Sequence, residues 1–282
     1  MTWVLRIAGI VAVLVAAMPS VRAQWPSYPT PGVPRAADGK PILDGPAPRN
    51  AEGKVDFSGV WQRAGFGGGG RGRGGPPPPT TTPDGIPLST FGEVAGRGYA
   101  LPMQPWAAEL KKKRMADNMK DNPDVWCLPI GIMQYHNHPQ PNQIVQTKNI
   151  TLITYESNYG LRYIYTDGRP APNNDPQPWW FGYSRGWYEG DTFVVETTNF
   201  YAEERATWLD VNGSPWSDAL KMTERFRRPT FGTLEIDVTI DDPKAYTKPF
   251  TVRVNQRLMV DQEMIEFICN ENERSTEHIK RN

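Results

Sequence analysis

The stretch that decides the fold is LEIDVTI, residues 234–240, in which apolar and polar side chains alternate strictly. Its apolar side chains fall on one face of an extended chain, and its polar side chains fall on the other. Alternation with a period of two is typical of a β-strand that has one face in a core and one in water. Residues 250–255, FTVRVN, repeat the pattern.

The same period runs through the second half of the chain. Further strand candidates are residues 150–155, 161–165, 192–197, 223–227 and 264–269, separated by short turns that carry Gly, Asn or Asp. A sheet of about eight such strands loses its exposed edges by closing on itself. The sequence therefore predicts an all-β, mainly antiparallel, up-and-down lipocalin-like barrel, with a β-sandwich as the alternative.

One helix and an irregular leader precede these strands. Residues 105–120 have helical composition, with Pro105 at the first helical position and Pro123 beyond the end. The basic run 111–114 is interpreted as a solvated helix face. Residues 105–282 are thus expected to form a helix-plus-barrel domain. Residues 24–104 form a Pro/Gly-rich leader, with a possible first strand at 56–62 and a disordered loop at 65–83.

The first 23 residues have the pattern of a secretion signal. An apolar run from Ile7 to Met18 precedes Val21-Arg22-Ala23, a small-x-small site, so cleavage is expected after Ala23. The protein is then periplasmic or secreted; an uncleaved anchor is the alternative. No later segment is apolar enough to span a membrane, so no integral membrane segment is expected after cleavage.

Two cysteines, Cys127 and Cys269, occur far apart in the sequence. In an oxidising compartment they are expected to form a disulfide bond. Two separately buried thiols are the alternative.

The charge balance bears on the class of partner. Lys plus Arg and Asp plus Glu both number 31, and the chain has no extended basic cluster. Nucleic acid is therefore not the expected partner. A Gly-rich phosphate loop and a Gly-x-Ser-x-Gly nucleophile motif are also missing, so the sequence does not support a nucleotide-binding enzyme or a hydrolase with a serine nucleophile. The expected partner is a small-molecule ligand or substrate. No motif assigns a cofactor.

His136, His138 and Glu224 are the catalytic candidates. In an extended segment, the two histidines point the same way, which suits a metal ion with a carboxylate as third ligand, or a base and its orienting partner. Glu224, if it faces the barrel lumen, is expected to have a raised pKa and to act as a general acid or base. Hydrogen-bonded loop histidines and an exposed ion pair are the structural alternatives.

Ten tryptophans are many for this length. Aromatic faces bind sugar rings and aromatic ligands, so Trp180 and Tyr135 are expected to line a pocket, with Arg162 and Arg185 binding polar groups. The preferred function is binding of a small, partly apolar, sugar-like or aromatic ligand. The alternative is a hydrolase, lyase or isomerase, either cofactor-independent or metal-dependent, that uses the histidines and Glu224.

Gly59-Val60-Trp61 precedes the predicted strands and resembles the Gly-x-Trp signature of lipocalins and other calycins. The resemblance implies that Trp61 closes the base of a barrel against an arginine from a late strand. The candidates for that arginine are Arg225, Arg253 and Arg257.

A wider resemblance runs from about Trp106 to Glu273. Among the segments that carry it are CLP-x-G (127–131), YTDGRP (165–170), WYEGDT (187–192) and ERF (224–226). They are similar to those of a large family of exported bacterial proteins that is abundant in acidobacteria. The resemblance implies export and one β-rich domain, and it implies no particular chemistry.

Overall fold

The computed structural model describes residues 28–64, 101–172 and 177–271. The predicted signal and the predicted loop at 65–83 lie outside these ranges. The strands are β1 Gly59–Arg63, β2 Asn142–Gln146, β3 Ile150–Tyr155, β4 Leu161–Tyr165, β5 Tyr183–Glu189, β6 Thr192–Thr198, β7 Lys221–Thr230, β8 Thr233–Asp241 and β9 Phe250–Leu258. The helices are α1 Pro105–Ala116 and α2 Ile132–His136, with 3-10 turns at Pro123–Trp126 and Ser157–Tyr159.

The strands form a closed barrel in which spatial order follows chain order. β1, which the leader contributes, pairs antiparallel with both β2 and β9 and so completes the wall. The predicted all-β barrel with one longer helix is confirmed. The leader is also part of the barrel, because Val55, Phe57 and Trp61 lie in its core.

One neighbouring pair, β4 and β5, is parallel, with Ile164 opposite Ser184. Every other pair is antiparallel. Nine strands in chain order cannot close with antiparallel pairs alone, because β1 and β9 would then run in the same direction. The single parallel pair restores the alternation, so the chain crosses over between β4 and β5 where a simple meander would turn back.

The strand expected at residues 264–269 does not form. This segment instead runs past β3, where the Ile265 amide donates a hydrogen bond to the Glu156 carboxylate at 3.0 Å. A closed barrel leaves no free edge for a further strand to pair with. The segment ends at Cys269, which forms the expected disulfide bond with Cys127.

Strand β5 is not among the predicted strands, because its inward positions carry the small residues Ser184 and Gly186. A side chain at Gly186 would place its Cβ 2.6 Å from the Phe193 ring. The inner wall is therefore filled from the neighbouring strand. The alternation that marks the other strands is missing here for that reason.

Helix α1 is shorter than predicted, since it ends at Ala116. Asn118 and Met119 both have φ of 54°, in the left-handed region, so the chain leaves the helical path before Lys120. No helix in the described part of the chain is long and apolar enough to cross a membrane.

Helix α2 fills the interior and is called the plug, residues Ile132–His136. All of its residues are buried. Tyr135 stacks on Tyr155 of β3 at 4.2 Å, His136 contacts Glu224 of β7, and the His136 carbonyl accepts a hydrogen bond from Gln256 of β9. The plug thus touches three strands across the barrel.

Trp61 is buried in the barrel core, and its arginine partner is Arg228. The Arg228 guanidinium lies 4.8 Å from the indole ring and donates to the carbonyl oxygens of Phe231 and Asp56. The prediction that Arg225, Arg253 or Arg257 would contact Trp61 is therefore wrong. They occupy outward positions; Arg225, for example, pairs with Glu189 on the outer face. Arg228 has the same parity on β7 as the inward Phe226.

We expect Arg228→Ala to lower the free energy of unfolding by about 2–4 kcal/mol, because it leaves buried carbonyl groups without donors and uncovers Trp61. The matched control, Arg225→Ala on the same strand, removes a surface ion pair and should cost less than about 1 kcal/mol. Urea unfolding of both variants measures the difference. Equal losses would show that Arg228 does not stabilise the packing around Trp61.

Candidate functional site

A buried ion pair occupies the barrel interior. Glu224 projects from the inner face of β7 and Arg162 from the inner face of β4; they are 0% and 1% exposed. Arg162 Nη1 donates to Glu224 Oε1 at 3.0 Å, and Arg162 Nη2 donates to Oε2. This two-bond arrangement fixes both side chains in orientation as well as distance.

Three further side chains surround the pair. His136 Nε2 lies 2.6 Å from Glu224 Oε1, while Arg162 also donates to Ser184 Oγ at 3.0 Å and to Thr197 Oγ1 at 2.7 Å. We call these five residues, His136, Arg162, Ser184, Thr197 and Glu224, the inner cluster. It joins the plug to β4, β5, β6 and β7.

The Glu224 carboxyl is ionised. Burial raises its pKa, but the Arg162 charge and the hydrogen bonds from His136 and Arg162 outweigh that effect, so the pKa lies below its ordinary value. The expectation of a raised pKa is therefore wrong, because it took account of burial but not of the positive charge of Arg162 on β4. A carboxylate held in this state is a poor proton donor near neutral pH.

The two histidines do not converge. His136 is the last residue of α2, and successive helical residues rotate by roughly 100°, so side chains two positions apart point to different sides. His138 Nε2 lies 3.4 Å from Asp124 Oδ2, away from Glu224. The expectation of an extended segment is wrong at this point. Within the described ranges, no group of three or more His, Cys, Asp or Glu side chains is arranged to hold a metal ion.

The four predicted ligand-binding residues do not form one pocket. Tyr135 is buried against Tyr155, and burial raises the pKa of both hydroxyls. Arg162 belongs to the inner cluster. Arg185 pairs with Glu196 at 2.7 Å, and Trp180 packs against Tyr201 at a ring distance of 5.2 Å.

A cleft of about 650 Å³ lies elsewhere, beside the C-terminal end of α1. Its walls are residues from α1, from the segment that follows it and from residues 204–208: Lys113, Arg114, Asp117, Lys120, Asp121, Trp126, Leu128, Glu204, Arg205 and Trp208. No residue of the inner cluster lines it. The inner cluster has almost no exposed surface, whereas the cleft is open to a ligand from solution.

Arg114 builds the floor of the cleft. Its side chain is buried and donates to the carbonyl oxygens of Thr207 at 2.7 Å and Gly213 at 3.1 Å, while the guanidinium lies 4.4 Å from the Trp208 ring. Burial lowers the pKa of Arg114 to about 10, against the opposing charges of Glu204 and Asp121. The interpretation of the run 111–114 as wholly solvated is wrong at this residue. Arg114 lies seven positions after the buried Ala107, on the same helix face.

Comparisons with family models, curated proteins and solved structures gave no match for this chain. The site is therefore interpreted from its own geometry.

We expect Glu224→Gln to lower the free energy of unfolding at pH 7 by about 3–5 kcal/mol, because Arg162 is left buried without a counter-charge. The double variant Arg162→Met, Glu224→Leu removes both charges and should lose less than the single variant. Urea unfolding measures both. A double variant that loses as much as Glu224→Gln, or more, would contradict a coupled ion pair.

The pH dependence gives an independent check of the same pair. Because the folded-state pKa of Glu224 is lowered, its contribution is fully present above the ordinary value of 4.5 and declines as pH falls towards about 2. The stability difference between the wild type and Glu224→Gln should therefore shrink across this window. A difference that stays constant there would exclude an ionised Glu224.

Proposed function

We propose that the protein binds a small, partly apolar or sugar-like molecule in the cleft beside α1. The observation that carries the proposal is the cleft itself: its volume falls within the range of roughly 300–1,000 Å³ that is typical of ligand pockets. Trp126 supplies an aromatic wall, and charged groups of both signs surround it. Loops held by a rigid scaffold are a common location for binding residues.

The barrel is the scaffold in this proposal. The plug and the inner cluster occupy the part of the interior near Glu224, where a calyx would hold its ligand. The proposed site is therefore the cleft beside α1 and not the lumen.

We also propose that the chain works outside the cytoplasm, after cleavage behind Ala23. The Cys127–Cys269 disulfide supports this, since such bonds persist in oxidising compartments. The N-terminal signal pattern of residues 1–23 is the second support.

An enzyme is the second candidate, and the contact between His136 and Glu224 favours it. His136 Nδ1 is buried and has no hydrogen-bond partner among the described residues. A histidine oriented by a carboxylate on one nitrogen, with the other nitrogen unshared, has the arrangement of a general base. A substrate would reach it only if the plug moved.

The binding proposal is tested with N-phenyl-1-naphthylamine, an uncharged anilinonaphthalene that is a fluorescent probe of partly apolar clefts. Trp126→Ala should raise the Kd of the probe five- to thirty-fold, about 1–2 kcal/mol, because an aromatic contact is lost. The control is Trp187→Ala, which removes an indole that is 41% exposed on the outer face of β5. An equal Kd for wild type and Trp126→Ala would overturn the proposal. Trp126→Phe, which keeps a ring, should retain most of the affinity and guards against an effect of misfolding.

Hydrogen exchange separates the two candidates without a substrate. If the barrel is a scaffold, the amides of residues 131–138 should exchange more slowly than those of residues 117–122, since the plug opens only with the core. Peptide-level mass spectrometry at neutral pH measures both segments. A plug that exchanges as fast as the cleft segment would favour the enzyme.

A further inference from the structure

We propose that the cleft selects a neutral, polyhydroxylated ligand, a pyranose ring or a short oligosaccharide. This inference rests on the proposed function and names its ligand class. Two observations support it. The cleft has equal numbers of accessible cations and anions, and several of these side chains form no ion pair or hydrogen bond.

The accessible charges of the cleft balance. Arg114 is committed to the carbonyl oxygens beneath the floor. The remaining charged residues are three cations and three anions: Lys113, Lys120, Arg205, Asp117, Asp121 and Glu204. A ligand with a single net charge would meet as many repelling groups as attracting ones.

Several of these groups are also uncommitted. Across residues 28–64, 101–172 and 177–271, the side chains of Lys113, Asp117 and Lys120 make no ion pair or hydrogen bond. Lys113 and Asp117 are four positions apart, a spacing that pairs opposite charges within a helix. Their side chains form no ion pair here, although the Asp117 amide donates to the Lys113 carbonyl. The cleft therefore presents donors and acceptors side by side, each available to a ligand.

Hydroxyl groups match this arrangement. A hydroxyl donates one hydrogen bond and also accepts, so a ring with several hydroxyls can donate to carboxylates and accept from ammonium groups at the same time. The Trp126 indole N–H is already used, since it donates to the Lys120 carbonyl at 2.9 Å. The Trp126 side chain lines the cleft, where its aromatic surface suits the C–H face of a sugar ring.

Isothermal titration tests the ligand class with maltopentaose, cellopentaose and xylopentaose as neutral probes. Phenylacetate serves as the anion and glycine betaine as the zwitterion. At least one oligosaccharide should bind with a Kd of about 1 mM or lower. This Kd corresponds to a binding free energy of about −4 kcal/mol. Trp126→Ala should raise the Kd of that oligosaccharide about ten-fold. The double variant Asp117→Asn, Asp121→Asn should raise it by a similar factor.

Asp218→Asn is the matched control, because Asp218 is an exposed carboxylate that pairs with Lys244 away from the cleft. It should leave the Kd unchanged. If none of the three oligosaccharides binds while the anilinonaphthalene probe still requires Trp126, the ligand class is overturned and the binding proposal stands. Binding of phenylacetate or betaine alone, dependent on Trp126, would likewise overturn the class. If the fluorescent probe also ignores Trp126, the binding proposal itself fails.

Discussion

Burying a carboxylate inside a β-barrel costs several kcal/mol unless a cation and further hydrogen bonds replace the water it loses. Glu224 obtains these from Arg162 on β4 and from His136 on the plug. The two strands lie three places apart in the barrel order, so the pair fixes the wall between them as well as its own strands. A shift of one residue in β7 would point Glu224 outwards and leave Arg162 unpaired. The inner cluster thus stabilises one register of the whole half-barrel.

The same constraint decides where a ligand can bind. Satisfying Glu224 brings the plug between the strands, and Tyr135 follows it into the core. Arg114 fastens the end of α1 to the 204–213 segment through backbone carbonyls. The cleft lies between these two parts of the chain, and no residue of the inner cluster lines it.

Local alternation was enough to predict most strands, β8 most clearly, because water on one face and core on the other dictate a period of two. The same alternation along β7 could have predicted that Arg228 points inwards, because it shares a face with Glu224 and Phe226. What the sequence conceals depends on distant partners. Ser184 and Gly186 look unlike a strand because Phe193 fills their space, and Glu224 looks isolated because Arg162 lies 62 positions away in sequence. The cleft joins α1 to a segment more than 90 positions later, so no local pattern marks it.

Trp61 and Arg228 pack together in the barrel core, and the interior also holds the plug. The barrel architecture alone therefore does not locate a binding site, because function depends on the site that is built on the fold. In this chain, the residues that stabilise the fold and those that line the cleft are almost disjoint sets. Most side chains of the cleft are exposed or half-buried, and exposed substitutions usually change stability little. Under the proposed binding function, ligand preference can therefore change through residues such as Asp117 and Lys120 while the Arg162–Glu224 pair, and the barrel it holds, remain the same.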